Sequence, residues 1–301
     1  MSAAFPRVVV VTRDTAYEQL LARHATHAQA AFFLSTRGRS IDAPKAEHDR
    51  FCAALQRVSV AIPARWRQTR VRRDDLERFV FEPEDIVVAV GQDGLVANVA
   101  KYLAGQPVVG INPDRERYDG VLVPFPAEAL RDVLPLVARG RAELQRRTMV
   151  CAVLDDGQRL LALNEIFVGV QTHQSARYQI RLGERQEQQS SSGLIVATGT
   201  GATGWARSIH RERRSSLALP DPTEGTLVFF VREAFPSVST QTDLTEGLLP
   251  GRPPLEVTSQ NQDRGVIFGD GIEDDYLPFA WGQTVRITAA PQTLNLVWSP
   301  R

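Results

Sequence analysis

The chain has 301 residues, enough for two ordinary domains, with 43% hydrophobic and 23% charged residues. Its 35 Lys+Arg balance 35 Asp+Glu, which argues against a general nucleic-acid binder. No apolar run approaches the roughly 18 residues of a membrane span, and no secretory peptide is evident. The two cysteines, Cys52 and Cys151, lie far apart and in no metal-ligand spacing, as expected of reduced, buried thiols in a cytoplasmic protein.

"RVVVVT" (7–12) reads as a strand buried on both faces, being short, apolar and β-branched. Asp14 is placed to cap a helix over 16–30, and "AAFFLS" after it fits either a strand or a helix end. "APKAEHDRFCAALQRV" predicts a helix with Pro44 near its start. The run Arg65, Arg67, Arg70, Arg72, Arg73 is followed at once by Asp74, Asp75 and Glu77, so it reads as a solvated face. Asp74 and Asp75 open a short helix that ends by Pro83. Residues 86–90 form another buried strand. The helix after it carries Leu95, Val96, Val99, Ala100 and Leu103 on one face, with Gly105 at its C-terminal cap. "PVVGIN" (107–112) is a further buried strand. Strands alternating with helices predict an α/β domain with a parallel sheet.

The pattern then changes. Residues 127–147 read as connecting helices broken near Pro135. Beyond them, short β-type runs separated by Asp-Gly, Gly-Glu and Pro turns predict an antiparallel, sandwich-like domain. The division falls near residue 130: an α/β nucleotide-binding domain over 1–130 and a β-rich domain over 131–301. The junction of two such domains is a favoured place for a ligand.

Five stretches bear on the chemistry. "VVAVGQDGLVANVAKYLAG" (87–105) runs a strand into a helix through Gly91-Gln92-Asp93-Gly94. A helix N-terminus attracts phosphate, glycine lets the backbone come close, and Asp93 can accept a hydroxyl proton during phosphoryl transfer. The same four residues also suit a plain turn with Asp93 as a helix cap. "IVATGTGATGWARSIHRER" (195–213) interleaves Gly199, Gly201 and Gly204 with Thr198, Thr200 and Thr203. Open amides and hydroxyls there suit a nucleotide, and Trp205 can stack on a flat ring. "LLALNEIFVG" puts Asn164 and Glu165 inside an apolar strand, where each must find a partner or reach water. "IFGDGIEDD" (267–275) reads as a hairpin turn. "NPDRERYDG" (112–120) follows a parallel strand, where ligands tend to bind, and equally fits an ion-paired loop. His24 and His27 read as helix surface.

The order of these pieces resembles the NAD kinase family: "GQDG", then "NE", then "SSGLIVATGTGATGW" (191–205). "LLARHATH", "VVGINPDRERYDG", "LNEIFVG" and "FFVREAF" extend the resemblance along most of the chain and toward the mitochondrial-type branch. The resemblance implies an NAD kinase/diacylglycerol kinase-like fold, a homodimer, and transfer of a phosphoryl group from ATP or polyphosphate to the 2′-hydroxyl of NAD's adenosine ribose, with Mg²⁺. On matching positions it implies Asp93 at the hydroxyl, and Gly91 and Gly94 at the phosphates. Asn164 and Glu165 would hold the adenosine. Thr200, Gly201, Thr203, Gly204, Trp205 and Ser208 would line the dinucleotide. Two positions depart from the family pattern. Gln92 replaces a glycine, which would narrow the donor's approach or alter the backbone, and Leu95 replaces a common threonine. Other readings left open are a non-catalytic NAD(P)-binding module and a kinase of this scaffold acting on a sugar or lipid.

Overall fold

The computed structural model of the chain describes residues 5–298. It divides into two compact units, Met1–Gln145 with Asn295–Arg301, and Arg146–Leu294.

The first unit is built on a parallel sheet. Strand β1 (Arg7–Thr12) pairs with β2 (Arg67–Arg72) on one side and β3 (Ile86–Val90) on the other, and β3 pairs with β4 (Pro107–Ile111). The order β2-β1-β3-β4 is continued by the end of the chain, where Asn295 and Leu296 add parallel to β4. β1 and β3 are Val-rich because both of their faces are covered. The arginine run proves to be the edge strand β2. Only Val71 of it is buried, so no apolar alternation announces a strand, and exposed cations keep this sheet edge from pairing further.

The expected helix over 16–30 is two helices, α1 (Ala16–His24) and α2 (His27–Ser35). Ala25 takes φ 62° and Thr26 caps the second, accepting from the amide of Gln29. "AAFFLS" is therefore helical. The cap of α1 is Thr15, in a reciprocal box with Glu18, while Asp14 pairs with Arg72. Helix α3 (Asp42–Ala61) buries Phe51, Ala54 and Val58. Helix α4 (Asp93–Ala100) ends before Gly105, which instead turns the chain into β4 at φ 108°. Helix α5 (Leu130–Ala138) continues through Pro135, because Leu130, Leu134 and Val137 are buried along one face and offset the lost backbone bond. The stretch from residue 144, expected to be helical, is already strand.

The second unit is β-rich. Its strands are β5 (Leu144–Leu154), β6 (Arg159–Ala162), β7 (Glu165–Val170), β8 (Ala176–Leu182), β9 (Arg185–Ser191), β10 (Leu194–Ala197), β11 (Leu227–Val231), β12 (Glu246–Leu249), β13 (Leu255–Ser259), β14 (Gly265–Gly269), β15 (Tyr276–Pro278) and β16 (Thr284–Val297). One antiparallel sheet runs β12-β11-β10-β7-β14-β15; another sets β13 between β16 and β8, with β9 beyond β8 and β5 on β16. Alternate residues of both sheets, such as Val150, Val168, Ile180, Val196, Phe229, Val257 and Ile287, form one core. β10 and β11 are apolar throughout because their other face is also covered. Ile195, Ala197, Val228 and Phe230 pack with Ala206 and Ile209 of helix α6 (Trp205–Arg213).

Candidate active site

In the first unit, β3 hands over to α4 through the Gly91-Gln92-Asp93-Gly94 turn. The amide of Gly91 donates to the carbonyl of Ile111 at 3.0 Å, which locks the turn to the end of β4. Gln92 is the N-cap residue, at φ −94° and ψ 168°. That is extended backbone open to any residue, so the glycine missing at this position is not required for the turn. Leu95 is fully buried and belongs to the core of the unit. A Cβ added to Gly94 would meet only open space.

Asp93 is held by its carboxylate. Oδ2 accepts from the amide of Val121 at 3.0 Å and Oδ1 from that of Leu122 at 2.8 Å. The segment so held runs back along β4, where a Cβ on Gly110 would lie 2.0 Å from the carbonyl oxygen of Leu122. Each carboxylate oxygen has more than one lone-pair site, so both oxygens can accept a further hydrogen bond. "NPDRERYDG" is an ion-paired loop: Asp114 binds Arg50, and Arg117 binds Glu47. The sheet's strand order turns at β1 and β3, and a cavity of about 170 Å³ lies beyond their carboxyl ends, with Gly91 and Gln92 in its wall.

In the second unit, three separate stretches meet. Asn164 and Glu165 stand where β6 has ended and β7 begins, at a junction rather than inside a continuous strand. Asp270, at φ 53°, accepts from the amides of Leu163 at 2.9 Å and Asn164 at 2.6 Å, and its own amide donates to the carbonyl of Glu165. The Gly-Asp-Gly of 269–271 is a hairpin turn whose carboxylate also fixes this junction. The glycine–threonine loop packs on the other side. The amide of Thr198 donates to the carbonyl of Asn164, and its hydroxyl donates to that of Leu163 at 2.6 Å. Gly201 lies so close that a Cβ would sit 2.1 Å from the carbonyl oxygen of Asn164.

The loop is less open than its glycines suggest. The amides of Thr200 and Gly201 donate to the hydroxyl of Thr198, and those of Ala202, Thr203 and Gly204 to loop carbonyls. It is a satisfied 3₁₀ turn that presents Thr203 and Gly204 at the surface and buries Thr200, which receives a bond from the buried Arg147. Trp205 stacks on Phe167 with ring centroids 6.0 Å apart, and the guanidinium of Arg232 lies 5.1 Å from its ring. Ser208 is exposed on the first turns of α6.

The side chains of Asn164 and Glu165 make no hydrogen bond among the described residues. Burial first, and the nearby carboxylate of Asp270 second, push the carboxyl of Glu165 up to about 7. Asp270 and Arg147 brace this cluster by hydrogen bonds, and the sequence did not single them out. A second Gly-Asp-Gly was the visible signal for the first, and nothing local marked the second. Among the described residues no group of three or more His, Cys, Asp or Glu side chains is placed to hold a metal ion, and no helix is long and apolar enough to cross a membrane.

No family model matches the chain. Curated relatives named NAD kinase match parts of it. One from Cupriavidus pinatubonensis is 34% identical over 196 residues, 56% of this chain and 62% of the relative. One from Burkholderia pseudomallei is 33% identical over 133 residues (41% and 43%), and one from Aquifex aeolicus 32% over 156 (47% and 56%). The matched stretches thus span 43–62% of these relatives' lengths. Two solved structures are similar over nearly the whole chain, each with a TM-score of 0.60. An NAD kinase from Archaeoglobus fulgidus in complex with ATP is 18% identical and covers 97% of this chain and 93% of its own. Yeast NADH kinase complexed with NADH is 14% identical and covers 99% and 85%. The fold of this chain, an α/β unit followed by a β-rich one, is the fold of those kinases.

Proposed function

We propose that the protein is an NAD kinase, moving a phosphoryl group from ATP or polyphosphate to the 2′-hydroxyl of NAD's adenosine ribose to make NADP. The observation that carries this reading is the second-unit cluster. Asn164, Glu165 and the loop 198–205 are distant in sequence, yet they are bonded backbone to backbone under the cap of Asp270, with two polar side chains left unengaged. Asn164 and Glu165 hold the adenosine, the amide donating and accepting and the carboxylate accepting from hydroxyls. Thr203, Gly204 and Ser208 reach the dinucleotide from their exposed positions. Thr200 and Gly201 act from beneath, by shaping the turn, and Trp205 walls the site.

Gly91 and Gly94 line the phosphates, and Asp93 receives the proton. As the ribose oxygen bonds to the terminal phosphorus, the bond from that phosphorus to its bridging oxygen breaks. The shortened donor leaves, and the hydroxyl proton passes to the carboxylate. The protein asks for little covalent chemistry here; it positions the groups. The family resemblance implies Mg²⁺, which would be held by phosphate oxygens of the donor and would neutralise charge on the transferred group. The two free thiols support a reducing, cytoplasmic setting; Cys151 is buried as expected, whereas Cys52 is exposed on α3. We also place the chain on the mitochondrial-type branch of the family, from the segments quoted for it, and the family resemblance supports a homodimer; sedimentation of the purified chain tests the latter.

The decisive experiment mixes the protein with NAD, Mg²⁺ and either ATP or polyphosphate and follows NADP. Replacing Asp93 with Asn should lower turnover by roughly 10²–10⁴-fold while NAD affinity stays close to wild type. The variant keeps a carboxamide oxygen for one of the two amides, so its melting temperature separates a local fold effect from the chemistry. Turnover equal to wild type would remove Asp93 from the mechanism.

A further inference from the structure

The segment that grips Asp93 is the end of a loop with a buried knot at its start. Asn112 follows β4 directly and is 4% exposed. Its Nδ2 donates to the carbonyl of Tyr118 at 2.9 Å, and its Oδ1 accepts from the amide of Asp114 at 2.9 Å. One side chain therefore joins both ends of the stretch 113–118. The backbone amide of Asn112 donates to the carbonyl of Phe125 at 2.8 Å, so the returning chain is fixed to the same residue. Surface loops ordinarily vary in position; this one is tied at its base. It is also tied to α3, where Nε of Arg50 donates to the buried carboxylate of Asp114 at 2.9 Å.

The constraint carries forward to Asp93. Gly120 takes φ 65°, and a Cβ there would lie 2.7 Å from Nδ2 of Asn112 and 2.8 Å from the carbonyl oxygen of Val123. The backbone thus passes Asn112 in contact, with no room for a side chain. The next two residues, Val121 and Leu122, supply the amides that hold the two oxygens of the Asp93 carboxylate. Among the described residues these are the only hydrogen bonds that the carboxylate accepts.

We propose that Asn112 is a positioning residue: through the loop it closes, it fixes Val121 and Leu122 and so sets the direction in which the Asp93 carboxylate meets the acceptor hydroxyl. Arg50, through Asp114, steadies the same loop from α3. The proposal rests on the phosphotransferase reading. A catalytic group misplaced by about 1 Å loses on the order of a hundredfold in rate, so a side chain behind the carboxylate governs turnover.

Two variants and one double-variant cycle test it. Asn112→Ala should lower NADP turnover by roughly 10²-fold while NAD affinity holds. Arg50→Ala breaks a half-exposed ion pair and should lower turnover by roughly two- to fivefold. In both, hydrogen exchange at the amides of Val121 and Leu122 should quicken while the amides of β1 stay protected, a readout that needs no turnover and shows that the fold is kept. In an Asp93→Asn background, Asn112→Ala should cost little further turnover, because no carboxylate is left to misplace. Unchanged exchange at residues 121 and 122 detaches Asn112 from the segment, and a turnover loss that multiplies in full with that of Asp93→Asn detaches it from Asp93; either overturns the proposal. If Asn112→Ala does not fold, Arg50→Ala carries the same cycle and the same two outcomes decide. NADP formation by wild type, with both variants turning over normally, leaves the kinase reading intact and sinks this one. Faster exchange at 121 and 122 in the variants, with no NADP from any donor, keeps the tether and sinks the kinase reading.

Discussion

The carboxyl of Glu165 is raised from 4.5 to about 7, chiefly by burial and then by Asp270. A carboxyl raised on folding binds its proton more tightly in the folded chain. Its contribution is therefore favourable in acid and is lost as pH climbs from about 4.5 to about 7. Glu165→Gln removes that loss. It should be more stable than wild type at pH 8, by up to about 3 kcal/mol in urea unfolding, and equal to it near pH 4. Ligand binding reports the same group from the other side. If the charged carboxylate accepts from a ribose hydroxyl, NAD affinity should fall by roughly tenfold for each pH unit below 7, and calorimetry on Glu165→Gln should give a flat profile. A wild-type affinity independent of pH between 5.5 and 8 would show that the carboxylate is not an acceptor for the dinucleotide. At this scale the sequence exposed the right residue types but not their surroundings. An Asn-Glu pair in an apolar run signals polar groups needing partners. That their backbone would be fixed by Asp270, more than 100 residues on, is a long-range contact that no spacing encodes. Gln92 shows the same limit. Whether a glycine can be replaced depends on φ and ψ, and Gln92 lies in the extended region.

The glycine–threonine loop joins sequence to site at the level of the element. Three glycines in six residues correctly mark a special backbone, but two of them serve packing. A Cβ on Gly199 would lie 2.1 Å from the carbonyl oxygen of Asp221, and one on Gly201 equally close to that of Asn164. The amides expected to be open are consumed by Thr198 and by the 3₁₀ turn, because a short loop between a buried strand and a helix must satisfy its own donors. Gly201→Ala should accordingly push the loop away from the Asn164–Glu165 junction. We expect a drop in melting temperature of several degrees and a loss of NAD affinity of roughly tenfold or more. Gly225→Ala, where a Cβ meets nothing within 4 Å, serves as the matched control. Equal NAD affinity in the two variants would detach this loop from binding. Elsewhere the strongly periodic or fully apolar elements, β1, β3, β4 and α3, were legible as expected. The edge strand β2 was not, since five polar residues out of six leave no alternation to read. The break between α1 and α2 was hidden because Ala25 gives no hint of a left-handed φ.

Over the whole molecule, the least legible feature is where the last strand goes. "QTVRITAA" and "TLNLVWS" read as two β-type runs of the second domain, yet they form one strand of 14 residues, β16. Its start pairs with β13 from Thr284 to Ile287, and its end supplies the first unit with Asn295 and Leu296 beside β4. Composition cannot report this, because both portions look like ordinary strand and the partner of the second lies nearly 190 residues earlier. The energetic consequence is specific. Leu296 and Val297 are 0% and 2% exposed, Val297 belongs to the core of the first unit, and the Asn295 amide donates to the carbonyl of Gly105 at 2.7 Å. Two buried aliphatic side chains contribute about 1.5–3 kcal/mol each, a large share of the stability of a unit of this size. A chain ending at Leu294 would lose them and would also leave the edge of β4 with unpaired backbone groups, a template for association. We expect that truncation to lower the melting temperature by about 10 °C or more and to shift part of the protein to high mass in size exclusion. Leu296→Asp in the full chain, which keeps the strand's backbone but opposes its burial, should reproduce the melting shift. A truncated chain that melts and elutes like wild type would mean that the first unit does not depend on the strand's final residues.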